Sequence, residues 1–243
     1  MMATSNAVRR LARGVQVGVA LVLLLLAFGW SLVPAAAPIA PAAVLIAYAV
    51  IAHLSGFIMD GKRGSQWVTL TCGGLSAAVL IRSLVVQYFG RTADNAVMVT
   101  IVFGLWLLAG IATTGRTGRI RDAVLSSTLS AQIGSLANVG FILASYYVLR
   151  GSALQERFFH TEGTYDDFAR SGISDFGVFV MGDLFGGAFF HLLFGALFGA
   201  LLGTIGGALT VGVTRVLRRP GGLPDTRLHP TASSTHEHYG AQQ

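Results

Sequence analysis

The chain has 243 residues, 53% of them hydrophobic and only 12% charged, with a mean hydropathy of +0.65. Soluble domains carry roughly a quarter charged residues, so this composition excludes an ordinary water-soluble globule and places the apolar surface in a bilayer. The net charge of +6 comes from 17 basic residues, all arginine except Lys62, which cluster beside apolar runs; with no continuous basic face they are an orientation signal, not a nucleic-acid footprint.

Residues 1–14 form a basic N-terminal segment with Arg9, Arg10 and Arg13. The apolar run 15–33 behind it is long enough to cross about 30 Å of hydrocarbon. It resembles a secretory signal peptide, with Ala35, Ala36 and Ala37 at a cleavage position, but exceeds the roughly 7 to 15 residues of such a core and is read as a retained first helix. An uncharged proline and alanine turn, 34–41, leads to a second run, 42–59, and a turn holding Lys62 and Arg63. The third and fourth runs are 67–88 and 96–113. The lone cysteine, Cys72, lies in the third; it excludes an internal disulfide or a CxxC site and reads as a small packing residue. The glycine and arginine turn with Arg116, Arg119 and Arg121 lacks the lysine and strand context of a phosphate loop, so it is read as a cytoplasmic turn near anionic headgroups.

The fifth run, 123–149, is the most polar. Ser126, Ser130, Gly134 and Asn138 recur every fourth residue, giving a small-residue ridge on a helix that needs protein neighbours. An acidic outer loop, 150–188, follows. Thr164 and Asp167 have capping-box spacing, and Gly172 is placed to stop a short helix. The apolar stretch 176–217 then reaches roughly 60 Å if helical, about twice a membrane thickness. Counting back from Arg215 puts the last crossing at 189–213, with 175–187 lying on or dipping into the outer surface and a hinge at Gly186 and Gly187. Within that crossing Gly195, Gly199, Gly203 and Gly207 align as a ridge of bare backbone, the surface through which apolar helices approach closely in lipid. The two ridges are expected to face each other. Residues 220–243, rich in Gly, Pro, Ser, Thr and His, are expected to be a disordered cytoplasmic tail.

The fold class is thus an all-α polytopic membrane helix bundle of six transmembrane helices over 15–219, with both termini cytoplasmic. Inner segments hold Arg9, Arg10, Arg13, Lys62, Arg63, Arg116, Arg119, Arg121, Arg215, Arg218, Arg219 and Arg227; outer segments hold only Arg91, Arg150, Arg157 and Arg170. That bias is the positive-inside pattern of a plasma-membrane protein.

Arg82 falls inside the third run, about 23 Å above Trp67, where an unpaired charge costs at least about 2 to 3 kcal/mol. Asn138 lies at the same depth, and Asp183 precedes the hinge, so a buried polar cluster of Arg82, Asn138 and Asp183 is expected. His53 and His191 are about 24 Å apart in depth by the same counting, too far for one haem iron. The spacing of His160, Glu162, Asp166 and Asp167 matches no metal motif, and no metal or other cofactor is expected. The kinase-like tripeptide Asp175, Phe176, Gly177 and the near nucleophile-elbow sequence around Ser174 lack the required context, so no enzyme is expected. Two functions remain. One is a structural subunit or assembly factor of a larger membrane complex, with a membrane-protein partner or a homo-oligomer. The alternative is a small-solute or ion permease with its polar site in the outer third.

Overall fold

The computed structural model describes residues 2–34, 36–58, 63–91 and 94–217, and helices with no strand make up its regular structure. Helix α1 (Met2–Gly29) runs into a 3-10 turn, Trp30–Leu32. There follow α2 (Ile39–Ile58), α3 (Arg63–Tyr88), α4 (Asn95–Thr117), α5 (Ile120–Val148), α6 (Ala153–Thr161), α7 (Thr164–Ser171) and α8 (Phe176–Leu217). Among the described residues five helices are long and apolar enough to cross a membrane, and α2 is apolar over Ile39–Ser55. Helix α2, of 20 residues, occupies the place of the sixth expected crossing. The protein is an all-α polytopic bundle integral to a membrane. The tail 220–243 and the turn residue Lys62 lie outside the described residues.

Local chemistry sets several ends. Asp94 caps α4 by accepting from the Val97 amide at 3.0 Å, and Gly118, with φ of 68°, closes it. Asp175 accepts from the Val178 amide at 2.9 Å, so the kinase-like tripeptide is a helix cap. Thr164 does not cap α7: it is the first helical residue, after Gly163 at φ 73°, and no side chain caps that end. Gly172, with φ of 72°, does stop α7. Helix α6 is an element the sequence reading did not foresee.

Helix α5 is the axis of the bundle. It touches α3, α4, α8, α2 and α1, and these five form a ring in that order, each packed on the next. Two hydrogen bonds fix α3 parallel to α5, Thr69 with Ser126 at 2.7 Å and Tyr88 with Ser145 at 2.6 Å, each between residues 57 positions apart. Helix α4 runs antiparallel to both, with Ser127 Oγ donating to the Trp106 carbonyl at 2.7 Å and Ser65 Oγ to Thr113 Oγ1 at 3.3 Å. Enclosure on all sides is why α5 tolerates so many hydroxyl and amide side chains: each side offers protein, not lipid, as a partner.

Two ends of the bundle differ in chemistry. At one, which we call the arginine end, Arg116, Arg119 and Arg121 are exposed and Arg116 Nη1 donates to the Gly64 carbonyl at 2.6 Å. At the other, α6 and α7 form a cap held by aromatic rings. Phe158 stacks on Tyr88 at 4.4 Å, Phe159 meets Phe176 at 5.5 Å, and Tyr165 and Phe168 meet Phe176 at 5.0 and 5.2 Å. Gln155 ties the cap to α5 by donating to the Tyr146 carbonyl at 3.1 Å.

Helix α8 is a single helix of 42 residues, about 63 Å long. It is helical through Gly186 and Gly187, so the expected hinge is replaced by continuous helix. The segment before those glycines buries Val180, Met181 and Phe185, and Ala188 follows, which docks this half of the helix on the core. At the arginine end Gly207 lies beside Ala123 and Ile120, so 208–217 run about 15 Å past the first turn of α5.

Candidate functional site

Gly195, Gly199, Gly203, Gly206 and Gly207 of α8 lie against α5 and α4. A methyl group added at Gly199 would stand 2.7 Å from Ala131 Cβ and 3.0 Å from Thr128 Cα; at Gly203, 2.8 Å from Val124 Cα and 2.9 Å from the Ala123 carbonyl oxygen. Gly195 abuts Ser135, and Gly207 abuts Ala123. Gly206, which the fourfold spacing skips, packs on α4, 2.9 Å from the Leu107 carbonyl oxygen.

The expected face of α5 is corrected. The ridge of Ser126, Ser130 and Gly134 meets α3, not α8. Ser126 bonds Thr69, Ser130 Oγ donates to the Thr69 carbonyl at 3.0 Å, and a methyl at Gly134 would stand 2.6 Å from Ser76 Oγ. The ladder is received by the neighbouring ridge, Ala123, Ser127, Ala131 and Ser135. Both ridges are small because two backbones press on α5 from adjacent sides.

The structure does not gather Arg82, Asn138 and Asp183. Asn138 is buried at 4% exposure, whereas Arg82 and Asp183 are exposed on α3 and α8. Those two helices are separated in the ring by α4 on one side and by α1 and α2 on the other. The 57-residue register keeps Arg82 level with Asn138 to within one residue. Asp183 does not dip: with Gly195 beside Ser135, it stands about 12 Å beyond Arg82 toward the cap. Arg82 itself is shallower than Trp67 implied. Measured from Gly64, which Arg116 binds at the arginine end, it is about 27 Å along a span of about 30 Å, at the edge of the hydrocarbon. Arg82 is exposed at that depth, where a cation costs less than at the bilayer centre, so no buried partner is required.

The outward stripe of α3 runs through Trp67, Thr71, Gly74, Ala78, Arg82 and Val85, all exposed. Gly74 has nothing within 4 Å of an added methyl, and the same holds for Gly104 on α4. Gly74 is nine residues beyond Ser65, and Gly104 nine before its partner Thr113, so the two glycines are level on neighbouring helices. The same nine-residue spacing is half a turn round each helix from the Ser65–Thr113 contact, so the two glycines lie at mid-depth on the separate outer flanks of α3 and α4.

In the core most hydroxyls find partners. Tyr147 donates to the Leu25 carbonyl at 3.1 Å, and the Tyr48 hydroxyl donates to the Leu192 carbonyl. Six buried polar atoms among the described residues have none: Ser55 Oγ, Gln66 Nε2, Trp106 Nε1, Thr114 Oγ1 and both amide atoms of Gln132. Gln132 shares its face of α5 with Leu129 and Leu136, in the apolar cluster that includes Val15 and Ala52.

His53 and His191 both lie on exposed sides of α2 and α8. The contact of Tyr48 with Leu192 brings their depth difference to about 10 Å, less than counting from the sequence implied. This is still wider than the roughly 4 Å between two nitrogen ligands of one metal. In the cap, burial pushes the Glu162 carboxyl above its ordinary value, the ring centroid of His160 lies 4.8 Å from that of Tyr165, and Asp167 pairs with Arg170 on the surface of α7. Among the described residues no three His, Cys, Asp or Glu side chains gather to hold a metal ion. Cys72 is buried and unbridged.

No known family model, no curated protein and no solved structure matches the chain.

Proposed function

We propose that this protein is a non-enzymatic structural subunit or assembly factor of a larger membrane complex, seated in the plasma membrane with both termini cytoplasmic. The observation that carries this reading is the uncovered backbone at Gly74 and Gly104 on the outside of α3 and α4. Glycine inside a helix costs about 1 kcal/mol relative to alanine, and in lipid it is repaid only where another backbone comes close. The ladder glycines and Gly110 have such neighbours within the chain; Gly74 and Gly104, like Gly14, Gly115, Gly182, Gly186, Gly187 and Gly212, have none. The exposed arginines 116, 119 and 121 support an orientation with that end toward anionic cytoplasmic headgroups.

A methyl group at either position has no atom of its own chain within 4 Å, which permits a clean test. The double variant Gly74→Leu, Gly104→Leu is expected to fold as the wild type does while losing the partner that the wild type retains in mild detergent. A wild-type protein that purifies alone, with a double variant equal to it in native function, would contradict the reading.

The second reading, a small-solute or ion permease, is favoured by Gln132, whose two orphaned amide atoms suit a polar guest. Solute flux into vesicles holding the purified chain alone, lost on Gln132→Leu with the fold intact, would replace the first reading with this one.

A further inference from the structure

We propose that the chain pairs with a second copy of itself across the α3–α4 face, about a two-fold axis along the membrane normal, with Arg82 of each copy bound to Asp94 of the other. This rests on the subunit reading above and names the partner. A two-fold axis normal to the membrane preserves depth, so two residues meet across it only if they are level. The pairing of Ser65 with Thr113 puts Arg82 level with Ala96, and Asp94 is about 3 Å beyond. Asp183, about 12 Å off the level of Arg82, fails the same condition.

Both charges also sit on the correct flanks. Val79, three residues before Arg82, and Met98, four after Asp94, pack into one cluster with Val102 and Trp106 between α3 and α4. Arg82 and Asp94 therefore border the same outward groove from opposite helices. Both are exposed, and among the described residues neither forms an ion pair within the chain. One carboxylate oxygen of Asp94 accepts the Val97 amide, leaving the other for a guanidinium. At the edge of the hydrocarbon such a pair is screened less than in water.

The test uses two full-length variants, Arg82→Asp and Asp94→Arg, each carrying a different affinity tag and expressed alone or together. Alone, each places like charges opposite one another, and self-capture in mild detergent is expected to fall at least about tenfold. Expressed together, Arg82→Asp and Asp94→Arg are complementary across the axis, and cross-capture is expected to return to within about threefold of wild type. An ion pair within one chain predicts no such rescue by mixing. Asp94→Asn, which keeps the capping oxygen of α4, is expected to weaken self-capture without unfolding. Reversals that leave self-capture unchanged, or a mixture no better than its members, would overturn the proposal. A wild-type chain that is single yet bound to a different membrane protein would overturn the second copy and keep the subunit reading; a chain that binds nothing would overturn both.

Discussion

Gly203→Leu is expected to prevent assembly of the bundle. A single methyl at this position already stands 2.8 Å from Val124 Cα and 2.9 Å from the Ala123 carbonyl oxygen, and these are backbone atoms that cannot rotate away. Gly203 also faces α4, where a methyl on Gly110 would lie 3.0 Å from Gly203 Cα. Three helices therefore meet at bare backbone, and nothing but separation of α8 from α5 makes room. Overpacking by a methyl alone costs about 1 to 3 kcal/mol, so Gly203→Ala is expected to be measurably destabilised and the leucine variant to lose the folded state. Gly212→Leu supplies the control, because a methyl there meets nothing within 4 Å. Unfolding in mixed detergent and denaturant micelles reads the difference. A Gly203→Leu protein as stable as Gly212→Leu would mean that α8 does not pack on α5 in this register.

Phe159→Ala is expected to be the most damaging change in the cap, by about 3 kcal/mol, the usual cost of emptying a buried aromatic site. Phe159 is 8% exposed and meets Phe158, Tyr165 and Phe176 at 6.2, 6.1 and 5.5 Å. It is the ring through which α6, α7 and the start of α8 meet. Its loss is expected to release α6 and α7 while the bundle below stays folded, because Tyr88 and Ser145 hold α3 to α5 without it. Limited proteolysis between 150 and 175, faster in the variant with no change in the helical signal of the bundle, is the expected pattern. Equal cleavage rates would show that the cap is held by other contacts.

What the sequence revealed depended on whether a feature was local. The fourfold glycine spacing of α8 is local, and it marks a helix side that close-packs. Which side of α5 receives it is not local. The ridges of Ser126, Ser130, Gly134 and of Ala123, Ser127, Ala131 differ by a fraction of a turn and are equally small, because α5 is pressed from several sides at once. Arg82 was misplaced for another reason. Trp67 is not the end of the bundle, which the bonded pair Arg116 and Gly64 sets, and the stripe of Trp67, Thr71, Gly74 and Ala78 that turns Arg82 outward is present in the helical period. Helix α6 had a readable start in Ser152 and Gln155, the spacing of a capping box. Ser152 does accept the Gln155 amide at 3.3 Å, while the Gln155 side chain reaches back to the Gly151 amide at 2.9 Å. An apolar stretch longer than a bilayer thickness suggests a hinge at Gly186 and Gly187. Length alone does not bend a helix whose first half is docked.

That five helices enclose α5 is the fact on which the partner face, the polar core and the glycine contacts all depend. A lipid-soluble thiol reagent applied in native membranes to single-cysteine variants, in a Cys72→Ser background, tests it directly. Gly74→Cys and Trp67→Cys on α3 are expected to react from the lipid or to be shielded only when the partner is present, whereas Ser130→Cys and Ala131→Cys on α5 are expected to stay unreacted in complexed and isolated protein alike. Labelling of Ala131→Cys at the rate of Trp67→Cys in the isolated, folded protein would contradict it.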